Sequence, residues 1–185
     1  MIYLPKRKIL LFFLILWGSL FPTAGLAQEK QLPWEVHFSP HGGCTEAIVR
    51  ELHKARSVIL VQAYSFTSAP IAKALLEAHK RGVKVEVVLD KSQEKGDKYS
   101  SADFLLNSGI ETKIDAQHSI AHNKVMVIDG EIVITGSFNF TRAAEERNAE
   151  NLLVLYDRKL AERYRKNWEE HARHSKAYSR REGRT

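Results

Sequence analysis

The chain has 185 residues, 44% of them hydrophobic and 27% charged, and its formal net charge at pH 7 is +6. This length is sufficient for a single domain that buries a substantial core. One cysteine, Cys44, is present, which excludes an internal disulfide and a metal site built from cysteines. We expect Cys44 to be a buried thiol, and a disulfide to a second chain is the alternative.

Residues 1–27 have the organisation of a cleavable secretory signal peptide: a basic head, nine apolar residues at 9–17, and small residues before Gln28. The apolar segment is well short of the ~20 residues that cross a bilayer. We therefore predict a periplasmic or secreted protein. Its mature part, residues 28–185, is predicted to be one domain without stable membrane association. Retention of residues 1–27 as an N-terminal anchor is the alternative.

The net charge is unevenly distributed along the chain. Residues 1–27 carry three basic residues and no acid, so the net charge of residues 28–185 is +3. Residues 158–185 contain ten Lys or Arg and four acids, so residues 28–157 have a net charge of −3. A basic C-terminal segment suits a polyanionic partner, although such a run is also typical of a solvated helix face.

The first half of the chain contains alternating strands and helices. A short strand at 34–39 and a helix at 45–55 come first. Residues 58–65 are nearly all apolar and five of the eight residues at 83–90 are apolar, and we predict a buried strand in each segment. The segment between them has helical periodicity and ends at Gly82. A strand, a helix and a second strand in this order imply a right-handed crossover and a parallel strand pair.

The next segment, residues 91–101, is polar and leaves the carboxyl end of a predicted strand. Ligands of α/β proteins gather at that edge of the sheet, so this loop either forms a wall of the substrate groove or is a simple connector. The other predicted elements of the second half are a helix at 102–107, a strand at 110–114, a polar crossing at 141–147, a strand at 151–156 and an amphipathic helix at 159–178.

Residues 122–139, HNKVMVIDGEIVITGSFN, contain two apolar, β-branched runs at 125–128 and 132–135. The runs are joined at Asp129 and Gly130, and Asp-Gly between two such runs is a strong hairpin signal. We therefore predict a β-hairpin. Its two outer ends meet at one end of the sheet.

Four polar side chains lie at those outer ends of the hairpin. Because residues i and i+2 share a face of a strand, His122 projects with Lys124 and Ser137 projects with Asn139. The hairpin brings an imidazole, an ammonium, a hydroxyl and an amide together. This set suits a phosphate-bearing substrate, since the last three groups bind phosphate oxygens while the imidazole attacks phosphorus.

The spacing His-x-Lys-x4-Asp-x6-Gly-Ser-x-Asn resembles the motif of the phospholipase D superfamily without a departure. Four segments, one of which overlaps the motif, resemble the small secreted bacterial endonucleases of that superfamily: AYSFTS at 63–68, RGVKVEVVLD at 81–90, GSFNFT at 136–141, and residues 148–151. The resemblance covers nearly the whole chain after residue 27. It implies an α/β fold with a mixed β-sheet flanked by helices on both faces, and one motif per chain.

The resemblance also implies roles for the motif residues. His122 is the expected nucleophile and forms a phosphohistidine, and Glu150 is the candidate partner that fixes its tautomer. Lys124 and Asn139 are expected to bind the non-bridging oxygens, while Ser137 binds the same phosphate or supports the site. The remaining two motif positions, Asp129 and Gly136, are expected to be structural.

The role of leaving-group acid is unfilled within one chain, because the motif occurs once. The superfamily fills this role with a second motif, so we predict a homodimer that supplies a second His122. A lysine-based site makes a metal unnecessary, and we predict no metal and no cofactor. His118 lines the groove or lies in a loop, and six histidines are predicted to be on the surface: His37, His41, His53, His79, His171 and His174.

Three functions remain to be distinguished. The first is a secreted, metal-independent endonuclease that cleaves DNA, with RNA as a further candidate, and the basic C-terminal segment supplies non-specific phosphate affinity. The second is a lipid phosphodiesterase that hydrolyses phospholipid or cardiolipin, although no amphipathic membrane-binding segment is evident. The third is an inactive binding module, against which the complete motif argues.

Overall fold

The structure is a computed structural model that describes residues 33–95 and 101–179. The predicted signal peptide, residues 1–27, lies outside the described residues. Among the helices of the described ranges, none combines the length and the apolar character needed to cross a membrane.

Within the described residues, eight strands form one mixed sheet in the order β1-β7-β6-β5-β2-β3-β4-β8. Strands β2, β3 and β4 run parallel to one another, and the other neighbouring pairs are antiparallel. This confirms the predicted mixed sheet and its parallel pair. The strands are β1 (Trp34–Ser39), β2 (Val58–Ala63), β3 (Lys84–Asp90), β4 (Glu111–Asp115), β5 (Lys124–Ile128), β6 (Ile132–Gly136), β7 (Glu150–Tyr156) and β8 (Lys176–Ala177).

The described helices cover both faces of this sheet, as predicted. They are α1 (Cys44–Lys54), α2 (Ala69–Lys80), α3 (Ser101–Asn107), α4 (Arg142–Glu146) and α5 (Arg158–His174). The larger core joins one face of the sheet to α1, α2 and α3. A smaller core joins the other face to α5, where the Trp168 indole donates a hydrogen bond to the Val61 carbonyl at 2.9 Å.

The buried cysteine lies in the larger core. Cys44 is fully buried and unpaired, and burial raises the pKa of its thiol to about 11. The thiol is therefore protonated and unreactive at neutral pH. This confirms the predicted buried thiol.

Three segments differ from the sequence predictions. Residues 91–95, predicted as part of a loop, form a 3-10 helix. The predicted polar crossing at 141–147 contains helix α4. Thr141 is the N-cap of this helix, and its hydroxyl accepts a hydrogen bond from the backbone N–H of Ala144 at 3.1 Å. Threonine is among the residues preferred at this position. The last helix ends at His174, and the chain then forms the short strand β8 beside β4.

The turn between β5 and β6 is held by Asp129. Both Asp129 and Gly130 have positive φ, 53° and 66°. The Asp129 carboxylate accepts hydrogen bonds from the backbone N–H groups of Arg56, Ser57 and Val58 at 2.8–3.0 Å, and from the Ser57 hydroxyl at 2.8 Å. Burial raises the pKa of this carboxyl, but these hydrogen bonds outweigh burial and the net pKa is lowered. Asp129 thus ties the hairpin to the start of β2.

Asp129→Asn is therefore expected to lower the free energy of unfolding by about 1–3 kcal/mol, because one acceptor becomes a donor and backbone N–H groups lose their partner. Asparagine tolerates the positive φ, so the backbone itself is not strained. Urea unfolding measures the change, and Glu131→Gln, on the exposed side of the same turn, should change stability by less than about 0.5 kcal/mol. Unchanged stability of Asp129→Asn would contradict the structural role.

Candidate active site

The hairpin places the motif side chains at one end of the sheet. Val125 of β5 pairs with Thr135 of β6. The start of β5, with His122 and Lys124, therefore lies beside the end of β6. Ser137 immediately follows that end. The backbone N–H of Tyr64 donates to the Asn123 carbonyl at 2.8 Å, which anchors the same segment to the end of β2.

The ammonium of Lys124 is held in a largely dry position. The residue is 6% exposed, its Nζ donates to the His122 carbonyl at 2.9 Å, and it lies 5.3 Å from the centroid of the Tyr64 ring. Burial lowers the pKa of this ammonium, and the charge of Glu150 opposes that shift. Because water competes weakly here, the ammonium can interact strongly with a phosphate.

The imidazole of His122 is exposed and packs against Tyr64, with ring centroids 4.6 Å apart and planes tilted by 58°. Tyr64 therefore contacts both His122 and Lys124. Sequence reasoning assigned no role to Tyr64, although it directly follows a buried strand at the carboxyl end where ligands gather. An exposed imidazole beside a buried ammonium is available to attack a bound phosphate.

Glu150 was predicted to contact His122, but its hydrogen bonds are with Ser137 and Asn148. Its Oε2 accepts from the Ser137 hydroxyl at 2.6 Å and its Oε1 accepts from the Asn148 amide at 3.1 Å. Within the described ranges, no hydrogen bond joins Glu150 to the His122 ring, and the tautomer-fixing role stays a prediction. The Ser137 hydroxyl also accepts from the backbone N–H of Asn151 at 3.1 Å, which favours the supporting role for Ser137 over direct phosphate binding.

Among the motif side chains, the amide of Asn139 has an oxygen without a hydrogen-bond partner in the described part of the chain. This oxygen, Oδ1, is buried. An unpaired buried polar atom is costly and is expected mainly where function requires it. The NH2 group of the same amide is the donor that a phosphate oxygen needs.

A buried acid behind the site was missed by sequence reasoning. Asp90, at the end of β3, is 2% exposed, and it accepts hydrogen bonds from the backbone N–H groups of Ala121 at 2.7 Å and Ser92 at 2.8 Å. It thereby fixes the residue next to His122. Burial raises the pKa of Asp90, but the hydrogen bonds from Ser92 and Ala121 outweigh burial and lower it. The available signal was an acid that ends an apolar run.

A cleft beside the site is lined in part by Tyr64, Asp90, Lys91 and Ser92. Three residues of the segment predicted as a loop, Lys91, Ser92 and Glu94, therefore line this cleft. This favours the interpretation of residues 91–95 as a wall of the groove.

Gly136 has no room for a side chain. A Cβ atom there would lie 2.3 Å from the Asn151 carbonyl oxygen, and its φ is +146°. Gly136→Ala is expected to lower the free energy of unfolding by about 1–3 kcal/mol and to reduce activity, because it separates β6 from β7 beside the Ser137–Glu150 hydrogen bond. Thermal unfolding and an activity assay measure both effects.

The matched control for this change is Gly130→Asn. Gly130 also has positive φ but has open space around its Cβ position, and asparagine adopts this conformation. We expect a loss below about 1 kcal/mol in the control. Equal effects at the two positions would contradict the steric argument.

Comparison with known proteins identifies the family. A family model described as "Cardiolipin synthase, PLD-like domain" matches residues 48–172, which include the whole motif. The chain belongs to the phospholipase D superfamily. Among curated members, a protein named "Phospholipase D" from Rickettsia prowazekii is 49% identical over 131 residues, covering 71% of this chain. The match covers 63% of the Rickettsia protein, so the chain spans less than two thirds of that relative's length.

Two further members of the superfamily bear on the site. "Mitochondrial cardiolipin hydrolase" from Xenopus laevis is 30% identical over 172 residues, covering 90% of this chain and 79% of that protein. The crystal structure of Nuc from Salmonella typhimurium, a phospholipase D family member, matches with a TM-score of 0.74 and 38% identity. That match covers 78% of this chain and 97% of Nuc. The fold and the single motif are thus those of the phospholipase D superfamily.

Four of the six histidines predicted on the surface are half-buried, His37, His79, His171 and His174, and the last two turn towards a buried carboxylate. His171 and His174 face Asp115 at the end of β4, where His118 also points. The prediction of surface positions for this pair is wrong, because α5 packs its last turn against the edge of the sheet. This cluster lies outside the set of motif residues.

Proposed function

We propose that the protein is an endonuclease that cleaves DNA without sequence preference and forms a phosphohistidine at His122. The observation that carries this proposal is the pairing of an exposed imidazole, His122, with the nearly dry ammonium of Lys124. Membership of a superfamily of phosphodiesterases supplies the reaction class. The similarity to Nuc, at 38% identity over nearly the whole of that protein, supports the substrate class.

The proposed reaction has two displacements at phosphorus. One ring nitrogen of His122 attacks, a P–N bond forms, one ester P–O bond breaks, and the departing oxygen takes a proton from the imidazolium of a second His122. Water then attacks phosphorus and gives its proton to that second imidazole as the P–N bond breaks, leaving a phosphate monoester. Lys124 and Asn139 bind the non-bridging oxygens and stabilise the charge that accumulates on them.

The second His122 is proposed to come from a second copy of this chain. Three apolar side chains on one face of the edge strand β1 are exposed: Trp34 by 45%, Val36 by 39% and Phe38 by 63%. Phe38 pairs with Asn151, whose side chain contacts Ser137, so this stripe begins beside the site. A two-fold interface that covers the stripe brings two sites together and removes apolar surface from water.

The second candidate is a lipid phosphodiesterase. The names of the Rickettsia and Xenopus relatives favour it, and so does one feature of the site. Ile120 is 57% exposed two residues before His122 and lines the cleft, where it could contact an acyl chain.

A plasmid-nicking assay beside a liposome assay with cardiolipin and phosphatidylcholine vesicles separates the two candidates. We expect nicking of the plasmid and no headgroup release, with His122→Ala protein, purified in the same way, as the control for contaminating nucleases. Headgroup release with no nicking would replace the first proposal by the second.

Hydrolysis is expected to persist for minutes in excess EDTA and to show no increase with Mg²⁺, because Lys124 neutralises the phosphate. The affinity for DNA is expected to fall steeply with salt, since phosphate contacts dominate such binding. Both are measured with one fluorescent oligonucleotide, by cleavage and by anisotropy with the His122→Ala protein. Rapid loss of activity in chelator that added Mg²⁺ restores would contradict this chemistry.

We further propose a periplasmic or secreted location, because residues 1–27 have the features of a signal peptide. Amino-terminal sequencing of protein recovered outside the cytoplasm is expected to begin at Gln28. Recovery in the membrane fraction with residues 1–27 intact would instead support an anchor.

A further inference from the structure

We propose that Asp115, His118, His171 and His174 form a binding site for one Zn²⁺ ion, which joins the end of α5 to the loop that carries His122. This site is separate from the phosphate-binding residues. Its assignment does not depend on whether the substrate is a nucleic acid or a lipid.

The four ligands come from three places that the fold brings together. Asp115 ends β4, His118 lies in the following loop, and His171 and His174 lie in the last turn of α5. The two helix positions are three residues apart and therefore share a face of the helix. Pairing of β8 with β4 holds the chain directly after α5 against the strand that Asp115 ends.

The distances suit a tetrahedral ion. His171 Nδ1, His118 Nδ1 and His174 Nε2 lie 2.6, 3.1 and 3.2 Å from Asp115 Oδ2, and all four donor atoms lie within 4.8 Å of one another. Zn²⁺ with bonds of about 2.0–2.1 Å keeps its tetrahedral ligands roughly 3.3 Å apart. Small side-chain rotations are therefore sufficient to surround the ion.

Hydrogen bonding alone does not account for this arrangement. Three imidazoles converge on the carboxylate of a fully buried residue, Asp115. All three approach Oδ2, and His118 Nδ1 also lies 3.3 Å from Oδ1, which already accepts from the backbone N–H of Gln117. The Nε2 atom of His174 is buried and makes no aligned hydrogen bond with any described residue. A cation at the centre satisfies all three rings at once, because each neutral imidazole then donates its lone pair to the ion.

The donor set selects among metals. Three imidazole nitrogens and one carboxylate oxygen are ligands that Zn²⁺ accepts, whereas Mg²⁺ and Ca²⁺ prefer oxygen ligands alone. An aspartate carboxyl is ordinarily ionised at neutral pH, which is the form that binds a metal.

The ion has a positioning role for the active site. The loop of residues 116–123 is already held at three points: Ala121 donates to Asp90, the His118 carbonyl accepts from Lys91 Nζ at 2.8 Å, and the Asn123 carbonyl accepts from the backbone N–H of Tyr64. Ligation of the His118 side chain adds a fourth point, four residues before His122. All four positions of a tetrahedral ion are occupied by protein groups, as in structural zinc sites, so the ion takes no part in the hydrolysis.

The metal content of untagged protein tests the site, since a polyhistidine tag binds the same ions. Protein purified without chelator and analysed by mass spectrometry of its metals is expected to contain about one Zn²⁺ per chain. After prolonged dialysis against dipicolinate, added Co²⁺ should produce the intense visible absorption of a tetrahedral site, and added Zn²⁺ should raise Tm by at least about 5 °C. Less than about 0.1 Zn²⁺ per chain, with no effect of either ion, would overturn the proposal.

Matched histidine variants locate the ion. His118→Ala and His174→Ala are expected to lose it, and His53→Ala, an exposed histidine on α1 that contacts Glu77, is expected to keep it. His122→Ala should also keep it. Loss of the ion from His122→Ala, or its retention in both His118→Ala and His174→Ala, would place the metal elsewhere and overturn the assignment. If a cluster variant does not fold, the wild-type metal content and Co²⁺ spectrum still decide the question.

Discussion

His122→Ala is expected to reduce hydrolysis to below about 1% of the wild-type rate while leaving the fold intact. The loss is large because the imidazole forms the covalent bond to phosphorus, and removal of a nucleophile abolishes both displacements. His122 is exposed, so its truncation leaves no cavity in the core. Cleavage of a fluorescent oligonucleotide measures the rate, and circular dichroism with thermal unfolding reports on the fold.

The matched control is His53→Ala, the same truncation at an exposed site on α1, which should retain nearly full activity. The affinity of His122→Ala for DNA should stay within about threefold of wild type, because phosphate contacts dominate non-specific binding. More than a few per cent of residual activity in pure His122→Ala would contradict its assignment as the nucleophile.

Mixtures of wild-type and His122→Ala chains are expected to lose activity faster than the wild-type fraction falls. If one shared centre needs two imidazoles, only dimers of two wild-type chains are active, so an equal mixture retains about one quarter of the activity rather than one half. Before the assay, the mixture is diluted so that dimers dissociate and is then concentrated again, which allows the two kinds of chain to exchange between dimers. Mixing with His53→Ala chains, which are expected to be active, controls for dilution effects.

A change in the exposed stripe of β1 tests the same interface independently. Phe38→Glu places a charge in the stripe at its end beside the site and is expected to give a folded monomer of low activity. Sedimentation velocity measures the oligomeric state. A linear fall of activity in the mixtures, or a fully active monomer, would rule out the shared centre.

The motif residues were predictable because their arrangement depends on short-range geometry. Strand periodicity places His122 with Lys124, and the Asp-Gly turn folds β6 back beside β5, which brings Ser137 to the same end. Only local rules are needed for this step. The alternation of buried strands with helices likewise predicted the parallel pair β2–β3.

Side chains from other strands required the tertiary structure. Tyr64 follows β2 and Asp90 ends β3, and both reach the site only because β2 lies between β5 and β3 in the sheet. Glu150 was placed near the site by the resemblance, but the hydrogen bond that it accepts from Ser137 depends on the pairing of β6 with β7. Hairpin geometry carries no information on such contacts.

The sequence by itself determined that an imidazole lies beside an ammonium, since the spacing of the motif and the strand period are enough to assemble the pair, and the resemblance of that motif indicated the phospholipase D superfamily. Only the tertiary structure decided what surrounds that pair. Asp115 and His171 are separated by 56 positions, and nothing in either local pattern indicates the other. They meet because β4 lies near one edge of the sheet and α5 crosses the sheet's second face to end there, a packing result that arises from burying Trp168 and its apolar neighbours.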